Sequence, residues 1–132
     1  MAHSKFSLLI VDEDCRVSRL LRDRMESAFP EMRVEIAGSA AKALAICSRF
    51  PPSWIVWDGL PREGCPLDEY LNCIPQPLWA KVIPISSDVA ALEAAKARGA
   101  QEPLSKPAEA LNAWSEAVVQ RFKPLLAPKK KK

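Results

Sequence analysis

Short, near-continuous apolar runs alternate along this chain with stretches in which apolar residues recur every three or four positions. The first run, Phe6 to Val11, reads as a strand buried on both faces. It stops abruptly at three acids, Asp12, Glu13 and Asp14. Val17, Leu20, Leu21, Met25 and Ala28, with arginines between them, predict an amphipathic helix that Pro30 closes. Arg33 to Ile36 predict a short second strand. Ser39 is placed to cap a second helix reaching about Arg49, with Ala40, Ala43, Leu44 and Cys47 turned inward. Pro51 and Pro52 end that helix. They lead to a third strand, Trp54 to Trp57, which again runs into an acid, Asp58.

Positions 59–66 hold two glycines and two prolines and read as a loop. A third helix around Leu67 to Cys73 is predicted to be short, because Pro75 and Pro77 interrupt any extension. Val82 to Ile85 predict a fourth strand ending at Ser86-Ser87. Asp88 can cap a fourth helix up to Arg98, with Gly99 where a helix C-terminal glycine belongs. A brief fifth strand is expected near Pro103-Leu104. Leu111, Trp114, Val118 and Phe122 then mark a fifth amphipathic helix. Five such βα repeats imply an α/β fold, a three-layer α/β/α sandwich around a mainly parallel sheet. Trp54, Trp57 and Trp114 are expected in the core or in helix packing. For Trp79, among prolines, an exposed partner contact is weighed against packing.

Composition narrows the class without naming a function. A chain of 132 residues that is 48% hydrophobic and 27% charged can bury a core of its own as one domain. No apolar run approaches the roughly 18 residues needed to span a bilayer. The first residues lack the apolar stretch of a signal peptide, so a cytoplasmic location is expected. The formal charge of +3 comes from Lys129 to Lys132, without which 15 basic residues face 16 acidic ones. The domain is therefore placed at residues 1–123, followed by a flexible lysine-rich tail at 124–132, and nucleic acid is not an expected partner. The four cysteines show no paired spacing and His3 is the one histidine, which argues against a zinc site and against histidine-based acid–base catalysis.

The polar residues of interest fall at predicted strand ends: Asp12, Glu13 and Asp14 after the first, Asp58 after the third, Ser86 after the fourth, Lys106 after the fifth. In open parallel sheets, ligands bind beyond those carboxyl ends. Clustered carboxylates repel one another unless a cation relieves them. Mg²⁺ suits them because it takes oxygen ligands and bridges carboxylates to phosphate oxygens. A carboxylate beside the ion can attack phosphorus, while an ammonium and a hydroxyl hold the transferred oxygens. Asp14 is also suited to cap the first helix.

Four segments, Leu8-Leu9-Ile10-Val11-Asp12-Glu13-Asp14, Trp54-Ile55-Val56-Trp57-Asp58, Val82-Ile83-Pro84-Ile85-Ser86-Ser87 and Leu104-Ser105-Lys106-Pro107, together resemble the receiver domains of two-component response regulators. The resemblance spans residues 6–123 and implies a flavodoxin-like fold with a five-stranded sheet in the order 2-1-3-4-5. It implies Asp58 as phosphoacceptor, Asp12 and Glu13 as the Mg²⁺-holding pair, the Leu60 carbonyl as a further ligand, and Ser86 and Lys106 as the groups that follow the phosphoryl group. It makes the Lys106-Pro107 bond a cis candidate. The implied partners are a sensor histidine kinase or phosphotransfer protein upstream and a protein target downstream, with a homodimer open and no membrane. The family pattern is broken in three places. Pro61 comes one residue early after Asp58, Pro103 stands at the aromatic switch position, and Ala108 follows the Lys-Pro pair.

Three functions compete on these residues. One is a stand-alone receiver, not an enzyme, that signals through protein contact. Another is a pseudo-receiver that binds partners without phosphorylation. The third is a haloacid-dehalogenase-like phosphatase using Asp12-x-Asp14, opposed by Arg16 where Thr or Val is expected and by the short chain.

Overall fold

The computed structural model of the chain describes residues 6–12, 15–58, 72, 74–85, 89–104 and 111–126. In chain order these form β1 (Phe6–Asp12), α1 (Cys15–Ala28), β2 (Met32–Ala37), α2 (Ala40–Arg49), β3 (Trp54–Asp58), a 3₁₀ helix (Gln76–Lys81), β4 (Val82–Pro84), α3 (Val89–Ala97) and α4 (Leu111–Leu126). The strands pair in parallel in the order β2-β1-β3-β4. Crossovers of this kind put helices on both faces of a sheet, which is why the central strands are apolar on both sides.

Strand alternation divides the core in two. Leu8 and Ile10 of β1, Val56 of β3 and Ile83 of β4 turn to one face, where they meet Val17, Leu21 and Met25 of α1 and Trp114, Val118, Val119 and Phe122 of α4. Leu9, Val11, Ile55, Trp57 and Val82 turn to the other, against Ala43 of α2 and Ala95 of α3. Phe122 and Met25 are wholly buried, and each such side chain contributes about 1.5–3 kcal/mol by leaving water. Trp54 and Trp57, three apart in β3, fall on opposite faces. Trp54 is half-buried and packs edge-on against Phe122 with ring centres 5.4 Å apart.

The helix ends follow the sequence. Ser39 accepts a hydrogen bond from the Lys42 amide at 3.2 Å, capping α2. After α3, Gly99 takes φ +106°, and the amides of Gly99 and Ala100 donate to the carbonyls of Lys96 and Ala95 at 3.0 and 3.1 Å. That bond pair is a Schellman closure, which needs a residue at ease with positive φ. At the end of the sheet away from Asp12, Ser7 and Ser53 tie β1 to the entry of β3 through reciprocal amide-to-hydroxyl bonds of 3.1 and 3.2 Å.

Several expectations are refined, settled or lie beyond view. Of the expected fifth strand, the described residues show one parallel bridge, Ile85 with Leu104, and positions 105–110 lie outside them. The Val82 and Pro84 carbonyls accept from the Gln101 and Leu104 amides at 2.8 and 2.9 Å, so the same edge of Pro84 faces positions 101–104. A proline has no N–H to offer there, so the ladder lacks a donor at position 84. Trp79 is not an exposed contact. It is fully buried in the 3₁₀ helix, which begins beside Pro75 and Pro77 because proline suits a first helical turn. Ala28 is exposed at the end of α1 rather than inward, and α4 runs through Pro124 to Leu126, past residue 123 where the domain was placed to end. The helix expected at Leu67 to Cys73 lies outside the described residues, apart from Asn72.

Charges on α1 run against its dipole. Its first turn holds no acid and its last turn no base, whereas the macrodipole favours the reverse by about 0.3–1 kcal/mol per charge.

Candidate functional site at the carboxyl end of the sheet

Asp12 and Asp58 close their strands on the same rung. The β1–β3 register pairs Leu8 with Trp54, Ile10 with Val56 and Asp12 with Asp58. Side chains alternate along a strand, so Asp12 lies on the face of Leu8 and Ile10, and Asp58 on that of Trp54 and Val56. Both carboxylates therefore point toward the α1 and α4 side, from neighbouring strands about 4.8 Å apart. Asp12 is buried at 6% exposure while Asp58 is half-exposed. Both have hydrogen-bonding or electrostatic partners.

A buried carboxylate beside a second one is costly unless hydrogen bonds or a cation compensate it. Exposure separates the roles the two can take. Asp12 is set back and suits a fixed ligand; Asp58 is open enough for a second molecule to reach. Oxygen donors of this kind fit a hard divalent cation such as Mg²⁺ and not a thiophilic metal. Among the described residues, Asp12 and Asp58 are joined by no third acid, cysteine or histidine in a metal-sized group.

Of the other expected participants, Glu13, Leu60, Ser86 and Lys106 lie outside the described residues, as do Asp14 and the Lys106-Pro107 bond. The chain's last described residues before Ser86 and Lys106 are nevertheless joined, since Ile85 bridges Leu104. Ile85 also donates its amide to the Trp57 carbonyl at 2.9 Å, next to Asp58. The strand ends leading to Asp58, Ser86 and Lys106 are thus adjacent.

Segment 101–104 is held from three directions. The Gln101 amide bonds to Val82, its side chain donates to the Ala80 carbonyl at 2.9 Å, and Arg121 of α4 donates to the Glu102 carbonyl at 2.8 Å. The sequence singled out Pro103 here but not Pro84. The signal for Pro84 was available, because a proline in the penultimate position of a predicted strand demotes that strand's outer edge. Away from the site, Cys47 on the inner side of α2 has its thiol pushed up from the ordinary value by burial, partly offset by the Lys81 charge.

No family model matches the chain, and no curated protein matches it. Solved structures do, 208 chains in all, and three of them define the class: the fold is that of response-regulator receiver domains. One is the Mn²⁺-bound form of response regulator Rcp1, 15% identical over 96% of this chain and 99% of that one, with a TM-score of 0.72. Another is a CheY-like receiver domain protein from Methanospirillum hungatei JF-1, 19% identical over 92% and 93%, with a TM-score of 0.69. A third is the signal receiver domain of a DNA-binding response regulator from Colwellia psychrerythraea 34H, 19% identical over 90% and 99%, with a TM-score of 0.66. The chain is similar to these in fold, with wide divergence in sequence.

Proposed function

We propose that the chain is a receiver that accepts a phosphoryl group on Asp58 from a phosphohistidine of a kinase or phosphotransfer protein. The observation that carries this is the in-register pair at the carboxyl end of the sheet, one acid buried and the other accessible. In the step, an Asp58 carboxylate oxygen attacks phosphorus as the P–N bond of the donor breaks. The leaving imidazole takes up a proton, and no oxidant or reductant is required. Asp12 and Asp58, with Glu13 and the Leu60 carbonyl, would hold Mg²⁺, which supplies charge neutralisation of the phosphoryl oxygens when bound. Ser86 and Lys106 would bond the transferred group's other oxygens. The protein would be cytoplasmic, would turn over no substrate of its own, and would signal by contact with a target protein. The Mn²⁺-bound form of Rcp1 supports divalent-cation binding by a protein of this fold.

The test is titration with beryllofluoride, a phosphoryl mimic, in Mg²⁺, followed by amide NMR. Shifts centred on Asp58, Ser86 and Lys106 that vanish in Asp58→Asn are expected. A silent wild type would sink the proposal.

One observation favours a second reading, the partner-binding module that needs no phosphorylation. Segment 101–104 carries Pro103 in place of an aromatic switch and is bonded to β4, the 3₁₀ helix and α4. On this reading Asp58→Asn leaves target binding intact.

A further inference from the structure

Pro84 removes one backbone donor from the edge of β4 that faces segment 101–104. Its carbonyl accepts from the Leu104 amide at 2.9 Å. In a regular parallel ladder the N–H of the same residue goes to the carbonyl two places earlier on the neighbour, here that of Glu102. Proline has no N–H to give. The Glu102 carbonyl nevertheless has a donor, because the Arg121 guanidinium reaches it from α4 at 2.8 Å. The acceptor is not the one an arginine ordinarily takes. Carboxylates match its planar fork, yet the Glu102 carboxylate lies 3.9 Å from Lys96 of α3, and Arg121 bonds the main-chain oxygen. Such a bond fixes the chain itself. The neighbouring anchors show how much rests on it. The Val82 carbonyl accepts from the Gln101 amide at 2.8 Å, so the segment advances from 101 to 104 while β4 advances from 82 to 84, one residue more, as at a bulge. Between those anchors Pro103 has no N–H, and the Glu102 carbonyl is tied to α4. Ser105 and Lys106 follow directly.

We propose that Arg121 is a positioning residue: it holds the Glu102 carbonyl in place of the missing strand amide and so sets the path of the chain into Lys106. The proposal rests on the receiver reading for the task of Lys106, and on the bonds above for the tether. An ammonium that bonds a phosphoryl oxygen must arrive within hydrogen-bond reach, and a misplacement of about 1 Å can cost such a site up to about a hundredfold. In an unbroken ladder, neighbouring backbone would hold that path. Here a charged side chain from α4 shares the task, so the strand end that carries the lysine is fixed to that helix.

Two measurements on the ¹⁵N-labelled full chain test this. The first is hydrogen exchange without any phosphoryl mimic. In Arg121→Ala the Gln101 and Leu104 amides should exchange about tenfold faster, while the Ile85 amide, bonded to Trp57 within the sheet, keeps its wild-type rate. The second is beryllofluoride affinity in Mg²⁺. Arg121→Ala should weaken it about tenfold and leave Mg²⁺ affinity within about twofold, since acids and not the lysine hold the metal. Added to Lys106→Ala, the same substitution should weaken beryllofluoride binding by less than about twofold, because a residue that acts through Lys106 then has nothing to position. Unchanged exchange at Gln101 and Leu104 overturns the proposal, as does an acceleration that includes Ile85. Equal losses of beryllofluoride affinity in both backgrounds overturn it too, because Arg121 then acts on the fold or the pocket and not through the lysine. A wild type that ignores beryllofluoride, with a segment that still loosens in Arg121→Ala, overturns the receiver reading and with it the task assigned to Lys106.

Discussion

Arg33 serves two neighbours at once: its guanidinium lies 3.9 Å from the centre of the Phe50 ring and 2.8 Å from the Glu35 carboxylate. It covers a phenylalanine that ends α2 and is still 43% exposed. Arg33→Ala should cost about 0.5–1 kcal/mol in urea unfolding, chiefly through the lost stacking, because an exposed ion pair adds little. Gly99→Ala is a sharper case. Nothing lies within 4 Å of the added methyl, so its expected cost of about 1–2 kcal/mol is backbone strain at φ +106° and not a clash. A Gly99→Asn variant that recovered none of that loss would argue against the strain account. Cys47 should alkylate with a midpoint above the ordinary thiol range when it is the one cysteine retained. Because the folded thiol holds its proton more tightly than the unfolded one, its contribution to stability is present below that range and declines as pH rises through it. Both Ser39 and Gly99 were legible in the sequence, since a cap and a positive-φ glycine are local requirements that nearby residues decide. The Arg33–Phe50 contact was not, because it joins a strand to the end of a different helix.

Elements were readable where one periodicity dominated. The apolar run of β1 and the stripe Trp114, Val118 and Phe122 on α4 are inward as expected. Of the fifth strand, the described residues show the bridge between Ile85 and Leu104, and one feature that limits its ladder is visible only in three dimensions. Pro84 looks like one more strand residue until its edge is known, and the bonds from Gln101 and Leu104 show that this edge faces the would-be neighbour. Pro84→Val restores a donor there. Its new amide should gain slow hydrogen exchange, with stability rising by up to about 1 kcal/mol; rapid exchange at position 84 would mean that the amide finds no acceptor on segment 101–104. For Trp79 the sequence weighs an exposed contact against packing, and the structure settles it as packing: Pro75 and Pro77 start a 3₁₀ helix that drives the ring into the α2–α3 side of the core. Trp79→Ala should cost about 3–5 kcal/mol and lower the melting temperature accordingly.

At the scale of the whole molecule, the site was half visible in advance. Acids at strand ends could be placed from the sequence, but which acid would be covered and which left open could not, because that depends on helices arriving from distant parts of the chain. Asp12, at 6% exposure, and half-exposed Asp58 acquire different tasks from similar chemistry. Asp12→Asn should weaken Mg²⁺ binding about tenfold or more while leaving the fold intact by circular dichroism. Their shared rung has one more consequence, for how the gene can vary. Residues added to or removed from the connections between α1, β2, α2 and β3 leave the phase of the two strands untouched. A single residue inserted within β1 or β3 would instead turn one carboxylate through the sheet to the opposite side, parting the pair without altering either acid. Length variation should therefore be tolerated in those connections and not inside the two strands, and a library of single-codon insertions scored by beryllofluoride binding would draw that boundary residue by residue.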